Sequence, residues 1–200
     1  MKKAITYLQK KDAKFSTIIK TYGVPTMPLR PPGFKTLVLL ILEQQVSIDS
    51  AKATFQKLQL SIKNITPSNI IATSDDELRS VGISRQKRTY LKALATAIIK
   101  KEVVLDELHQ YDPVEIRKQL IKIKGIGNWT IDIYLIFCLQ HPDIMPLGDI
   151  AVVNTIKELW DIHDTDGMQQ LTQQWQPYRS VATVLLWHHY LSKRNRKVVY

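Results

Sequence analysis

Apolar residues along this chain recur at three- and four-residue spacing, and period-two alternation is scarce. That pattern buries one face of a helix and leaves little that reads as a strand. Helix start signals agree with it. Ser74 carries Glu77 at capping-box spacing, and Asp112-Pro113 joins a cap to a proline at the first helical position. The spacing predicts helices over roughly 3–20, 34–42, 85–100, 113–122, 128–139, 149–160 and 177–191. A further helix is expected from a cap at Asp49 or Ser50 to about Leu60, and short ones follow Pro67 and Ser74. Phe34 to Leu42 is apolar nearly all round and reads as a central buried helix. The proline-rich stretch before it, up to Gly33, reads as an extended connection. The expectation is an all-α chain forming one domain over residues 1–200. Two helical subdomains with a cleft between them are expected, roughly 34–110, and 1–33 plus 111–200, with a hinge near 105–110.

Charge narrows the partner. Twenty-eight Lys and Arg against 18 Asp and Glu give a net charge of +10. Residues 1–35 hold eight basic residues and one acid, Asp12, and Lys193-Arg194-Asn195-Arg196-Lys197 adds four more basic residues. Such an excess favours a polyanion, although charge alone also serves solubility. The longest apolar run, Ile133–Leu139, has seven residues, against ~20 for a bilayer span. Met1-Lys2-Lys3 is followed by Gln9, Lys10 and Lys11 without an apolar signal core. Cys138 is the sole cysteine, which excludes an intrachain disulfide framework and a four-cysteine zinc or iron–sulfur site. It reads as an inert core thiol. His188 and His189 are adjacent on a helix and make a poor metal pair. The cytosol or nucleoid is the expected compartment, or the nucleus in a eukaryote.

The most informative stretch is Leu120-Ile121-Lys122-Ile123-Lys124-Gly125-Ile126-Gly127-Asn128-Trp129-Thr130. One helix ends, two glycines turn the chain, and a second helix begins. Glycine permits backbone angles and close approaches that a side chain blocks. The first amides of the second helix then suit an anion such as a DNA phosphate. The carbonyls of Ile121, Ile123 and Ile126 are candidate ligands for a monovalent cation beside it. An ordinary helical corner has the same Gly-x-Gly, so the basic, all-helical context carries the reading.

With Pro146-Leu147-Gly148-Asp149 downstream, the hairpin resembles that of the helix–hairpin–helix DNA glycosylases with a Gly/Pro-rich loop and an aspartate (the HhH-GPD superfamily). The chain is most similar to the 3-methyladenine DNA glycosylase II branch, in a short form lacking the N-terminal sheet domain. The resemblance also rests on Glu43-Gln44-Gln45-Val46-Ser47, on Leu78-Arg79-Ser80-Val81-Gly82-Ile83, and on Trp175-Gln176-Pro177-Tyr178-Arg179-Ser180 through Trp187. It covers roughly residues 30–190.

The resemblance implies a monofunctional enzyme of base excision repair. Such an enzyme flips an alkylated purine out of duplex DNA, hydrolyses its N-glycosidic bond and leaves an abasic site. Asp149 is then the catalytic carboxylate, stabilising the cationic sugar or orienting water. Its bland reading is a plain helix cap. Trp129 stands where strand-cutting members carry a nucleophilic lysine, so no lyase activity is expected. An indole face attracts a cationic base such as 3-methyladenine or 7-methylguanine. Trp187, Gln44, Ile133 and Tyr178 are the other implied pocket residues, with core packing the alternative for Trp187. Arg179 and Ser180, beside Tyr178, are expected to help shape the pocket mouth. Gln45 falls at the wedge position that fills the gap left by the flipped base. Gly125, Gly127, Trp129, Thr130, Ser84, Lys87 and Arg88 are the expected phosphate contacts. No cofactor is required, and the protein is expected to act as a monomer with no membrane partner. A glycosylase for another lesion, such as a deaminated purine, and a non-catalytic DNA-binding module are the competing readings.

Overall fold

A computed structural model of the chain describes residues 1–196; Lys197 of the basic tail lies outside them. The described residues are helical and contain no strand. The chain divides into two compact units, Met1–Leu29 with the chain from Leu135 onward, and Arg30–Tyr134.

The unit Arg30–Tyr134 is built around α3 (Phe34–Glu43), which is buried along Leu37, Val38, Leu40, Ile41 and Leu42. Its all-round apolar sequence leaves it no solvent face. Helices α4 (Ile48–Ile62) and α7 (Arg85–Ile99) pack against it, and α5 (Pro67–Ala72) packs on α7. Between them lies α6 (Asp75–Ser80), which carries the expected capping box: Ser74 Oγ accepts the Glu77 amide, and Glu77 accepts the Ser74 amide. The cap of α4 is Ser47, which accepts from the Ser50 amide; Asp49 lies in the first turn instead. Arg30 and Glu43 form a bidentate ion pair at 3.0 and 2.9 Å, both side chains nearly buried.

The proposed hinge is a 3-10 helix, Leu105–Gln110, anchored by buried Leu105 and Leu108. The boundary between the units therefore falls elsewhere, within α9 (Asn128–Phe137). The reason is that α8 (Pro113–Leu120) and the hairpin bond to Arg30–Tyr134 residues. Gln44 reaches Gly125 and Thr130, and the Gly33 amide donates to Tyr134 Oη at 2.8 Å.

In the other unit, the helix expected over 3–20 is two helices, α1 (Lys2–Lys11) and α2 (Ala13–Tyr22). Asp12 breaks them apart. It caps α2 through the Lys14 amide and accepts the indole N–H of Trp160 at 2.7 Å. Around it, Phe15, Trp160 and Trp175 form an aromatic cluster with centroids 5.0 to 5.9 Å apart. Helix α10 (Ile150–Trp160) packs on α12 (Arg179–Ser192), and α12 on α2. Helix α11 (Thr165–Gln173), capped by Asp164, has no counterpart in the sequence reading. No helix among the described residues is long and apolar enough to cross a membrane.

Candidate active site and DNA-binding hairpin

Asp149 is the N-cap of α10. Its Oδ1 accepts the amides of Ala151 at 2.9 Å and Val152 at 3.1 Å. The same oxygen accepts the indole N–H of Trp187 at 2.9 Å. Three donors thus fix one carboxylate oxygen at the positive end of an eleven-residue helix. Trp187 is 6% exposed and its ring leans on Phe137, 5.4 Å away at 36°. Its contacts define it as the group that orients Asp149.

The loop that delivers Asp149 is held by the start of α12. Arg179 grips the Asp143 carboxylate through Nε and Nη2, both at 2.8 Å. Ser180 Oγ donates to the His141 carbonyl at 2.6 Å and accepts the Ile144 amide at 2.9 Å. The Asp149 amide closes a turn onto the Pro146 carbonyl at 2.9 Å. Arg179 and Ser180, expected near a pocket mouth, instead brace this loop. Asp143 was missed, and only a basic partner 36 residues away gives it its role. Tyr178 is half-buried with its ring edge-on to Tyr7 at 5.2 Å.

In the other unit the hairpin is equally well determined. Asp112 caps α8 through the amides of Val114 and Glu115, with Pro113 behind it. Buried Ile123 and Ile126 anchor the turn, while Lys122, Lys124 and Gly127 are exposed. Gly125 has φ +94°, and a Cβ there would lie 2.2 Å from Cγ of Tyr90. Tyr90 therefore requires a glycine at that position. Gly127 has nothing within 4 Å of its own notional Cβ. Its role is an open outer approach, not internal space.

Two side chains hold the hairpin. Gln44 Nε2 donates to the Gly125 carbonyl at 2.8 Å and to Thr130 Oγ1 at 3.1 Å. Arg117 donates to Asn128 Oδ1 at 2.9 Å and pairs with Asp132. Burial pushes the Asp132 carboxyl above its ordinary range, with Arg117 pulling the other way. Thr130 is buried, so its hydroxyl serves this frame and does not face a phosphate. Gln44 is part of the same frame. Trp129, half-buried in the first turn of α9, follows the open Gly127. Ile133 is 4% exposed and is a core residue.

Gln45 stands exposed immediately after α3 with φ +58°. It borders a groove of about 230 Å³ with Leu42, Gln44, Gly82, Ser84 and Lys87. A non-glycine residue in this conformation is uncommon, and here it projects the side chain off the helix end. The expected basic contacts behave differently. Ser84 caps α7 through the Lys87 amide. Lys87 Nζ donates to the Leu42 carbonyl at 2.7 Å, and burial pushes its ammonium below the ordinary lysine value. Arg88 donates to the Ile83 carbonyl at 2.8 Å. Lys87 and Arg88 therefore tie down the end of α3 and the Gly82 turn, and are not outward phosphate ligands.

This combination of a tied glycine hairpin and a capping aspartate recurs in proteins of known structure. A DNA-3-methyladenine glycosidase from Bacillus halodurans aligns with a TM-score of 0.81 and 26% identity, over 96% of this chain and 91% of that one. The 3-methyladenine DNA glycosylase Mag1 of Schizosaccharomyces pombe, solved with abasic DNA, aligns with a TM-score of 0.82 and 27% identity, over 92% and 95%. The sequence is 29% identical over 206 residues to the alkylbase DNA glycosidase-like protein mag2 of Schizosaccharomyces pombe, spanning 98% of this chain and 96% of that protein. Residues 38–179 match the HhH-GPD superfamily, and the chain belongs to these base excision DNA repair proteins.

Proposed function

We propose that this protein is a monofunctional DNA glycosylase that hydrolyses the N-glycosidic bond of alkylated purines, of the 3-methyladenine and 7-methylguanine type, in duplex DNA. The observation that carries the reading is the Asp149 carboxylate, held through Oδ1 by two amides and the Trp187 indole. A fixed carboxylate stabilises the cationic sugar that develops as the base departs, without reorganising at the moment of reaction. A methylated purine is already cationic and a good leaving group, so little acid catalysis is needed. Trp129 offers an indole face to that cation, an attraction of ~0.5–2 kcal/mol. Gln45, projecting off the end of α3, is positioned to fill the space of a flipped base.

The hairpin binds the DNA backbone through the first amides of α9, which lack intrahelical acceptors. A monovalent cation beside that phosphate would be held by the carbonyls of Ile121, Ile123 and Ile126. Ile123 already accepts the Ile126 amide at 3.0 Å and keeps a second lone pair. Such an ion would add positive charge beside the phosphate. Specificity for sequence is not expected from backbone contacts.

Trp129 in place of an amine supports hydrolysis by water over strand cutting. The test is methylated duplex DNA treated with the protein and run on a denaturing gel before and after alkali. Breaks only after alkali are expected. Breaks without alkali would assign a lyase, and no breaks in either lane would remove the alkylpurine assignment.

A further inference from the structure

Beside the hairpin, the outer face of α7 and the glycine turn border an open groove of about 430 Å³. It is lined by Arg85, Gln86, Thr89, Tyr90 and Lys124. The inner face of α7 is set by Leu91, Leu94 and Ala95. Lys87 and Arg88, one turn before Leu91, fall on that side and bond to carbonyls of the unit. Arg85, Gln86 and Thr89 are exposed, and Lys124 projects from the turn itself. Tyr90 forms the floor. Its ring occupies the space that Gly125 leaves empty, and its hydroxyl accepts Gln86 Nε2 at 2.6 Å. The floor of the groove is thus tied to the turn that presents the hairpin amides.

We propose that this groove is a second phosphodiester site, in which Arg85 and Lys124 hold a backbone phosphate next to the one at the hairpin, on the same DNA strand. The proposal rests on the DNA-binding reading of the hairpin and extends it. The lining contains two cations and no carboxylate. The guanidinium of Arg85 presents a planar fork that matches a phosphate, and Lys124 adds a point charge. The groove is open along the surface, which suits a passing polymer backbone. Its position against Gly125 makes it continuous with the hairpin contact.

The test compares wild type with Arg85→Gln/Lys124→Gln. A charge-matched control, Lys100→Gln/Lys101→Gln, sits at the far end of α7. Lys100 lies fifteen residues from Arg85, about 22 Å along the helix. Affinity for undamaged duplex DNA is measured against salt. The slope of log K with log salt is expected to fall by about 1.8 in the groove variant, ~0.9 per lost phosphate contact, and to hold in the control. A single neutral methylphosphonate moved along the strand should weaken wild-type binding at the groove phosphate and have no effect there in the groove variant. Equal slope losses in both variants, or an unchanged methylphosphonate profile, would overturn the groove alone. Absence of duplex binding by wild type would overturn the hairpin reading with it.

Discussion

Gln44 donates from its side-chain amide to the carbonyl of Gly125, 81 residues later, at 2.8 Å. The same nitrogen reaches Thr130 Oγ1, so one side chain joins the end of α3 to both arms of the hairpin. The residue before the presumptive wedge, Gln45, is therefore the residue that sets the turn. Gln44→Ala should lower stability by about 1–2 kcal/mol and weaken duplex DNA binding. Gln44→Glu should be worse, because a carboxylate would face a carbonyl oxygen. Thermal melts and DNA titrations of the two variants check this, and equal behaviour of Ala and Glu would contradict it.

The two glycines of the hairpin should fail differently. Gly125→Ala meets the Tyr90 ring at 2.2 Å with φ +94°, so a stability loss of about 3 kcal/mol or more is expected. Gly127→Ala meets nothing within 4 Å, so it should fold normally yet bind DNA weakly, its methyl group lying in the path of the phosphate. Denaturation midpoints beside binding curves separate the two effects.

Trp187→Phe keeps an aromatic ring and removes the N–H that bonds Asp149 at 2.9 Å. A hydrogen bond to a charged group contributes about 1.5–3 kcal/mol. If that bond acts on the transition state, base release should slow roughly tenfold to a hundredfold at unchanged DNA affinity. Single-turnover excision with saturating protein measures the step directly.

Asp132 gives the fold a pH dependence of definite sign. Burial raises its carboxyl above the unfolded value, so the folded state binds the proton more tightly. Its contribution is fully present below the ordinary carboxylate range and is lost as pH rises through the raised value. Asp132→Asn should flatten this part of the stability profile between about pH 4 and the raised value. Melting temperatures of both proteins across that range report it, and parallel profiles would contradict the assignment.

Much of this was legible in the residues, and the remainder follows a physical rule. Local signals were sound: the Ser74 box and the Asp112-Pro113 start act within one turn of chain. Asp12 splits α1 from α2 because Trp160, 148 residues away, bonds its carboxylate, and no local pattern carries that contact. Helix α11 is polar, with Gly167 in its first turn, and periodicity is faint there. The inward turn of Lys87 and Arg88 was readable in principle. They stand four and three residues before the buried Leu91, on the apolar face, while Arg85 lies outside it. Counting basic residues shows charge but not direction. The pairing of Asp149 with Trp187 was hidden for the opposite reason, since each residue was visible and the bond between them spans 38 residues.

The most direct test of the account is release of free base from methylated duplex DNA by wild type and by Asp149→Asn. The asparagine keeps a side-chain oxygen for the Ala151 and Val152 amides, so α10 remains capped while the charge is lost. Wild type should release 3-methyladenine, and Asp149→Asn should be slower by at least about a hundredfold while binding DNA as well. Equal rates from the two proteins, or no base released by wild type, would contradict the account.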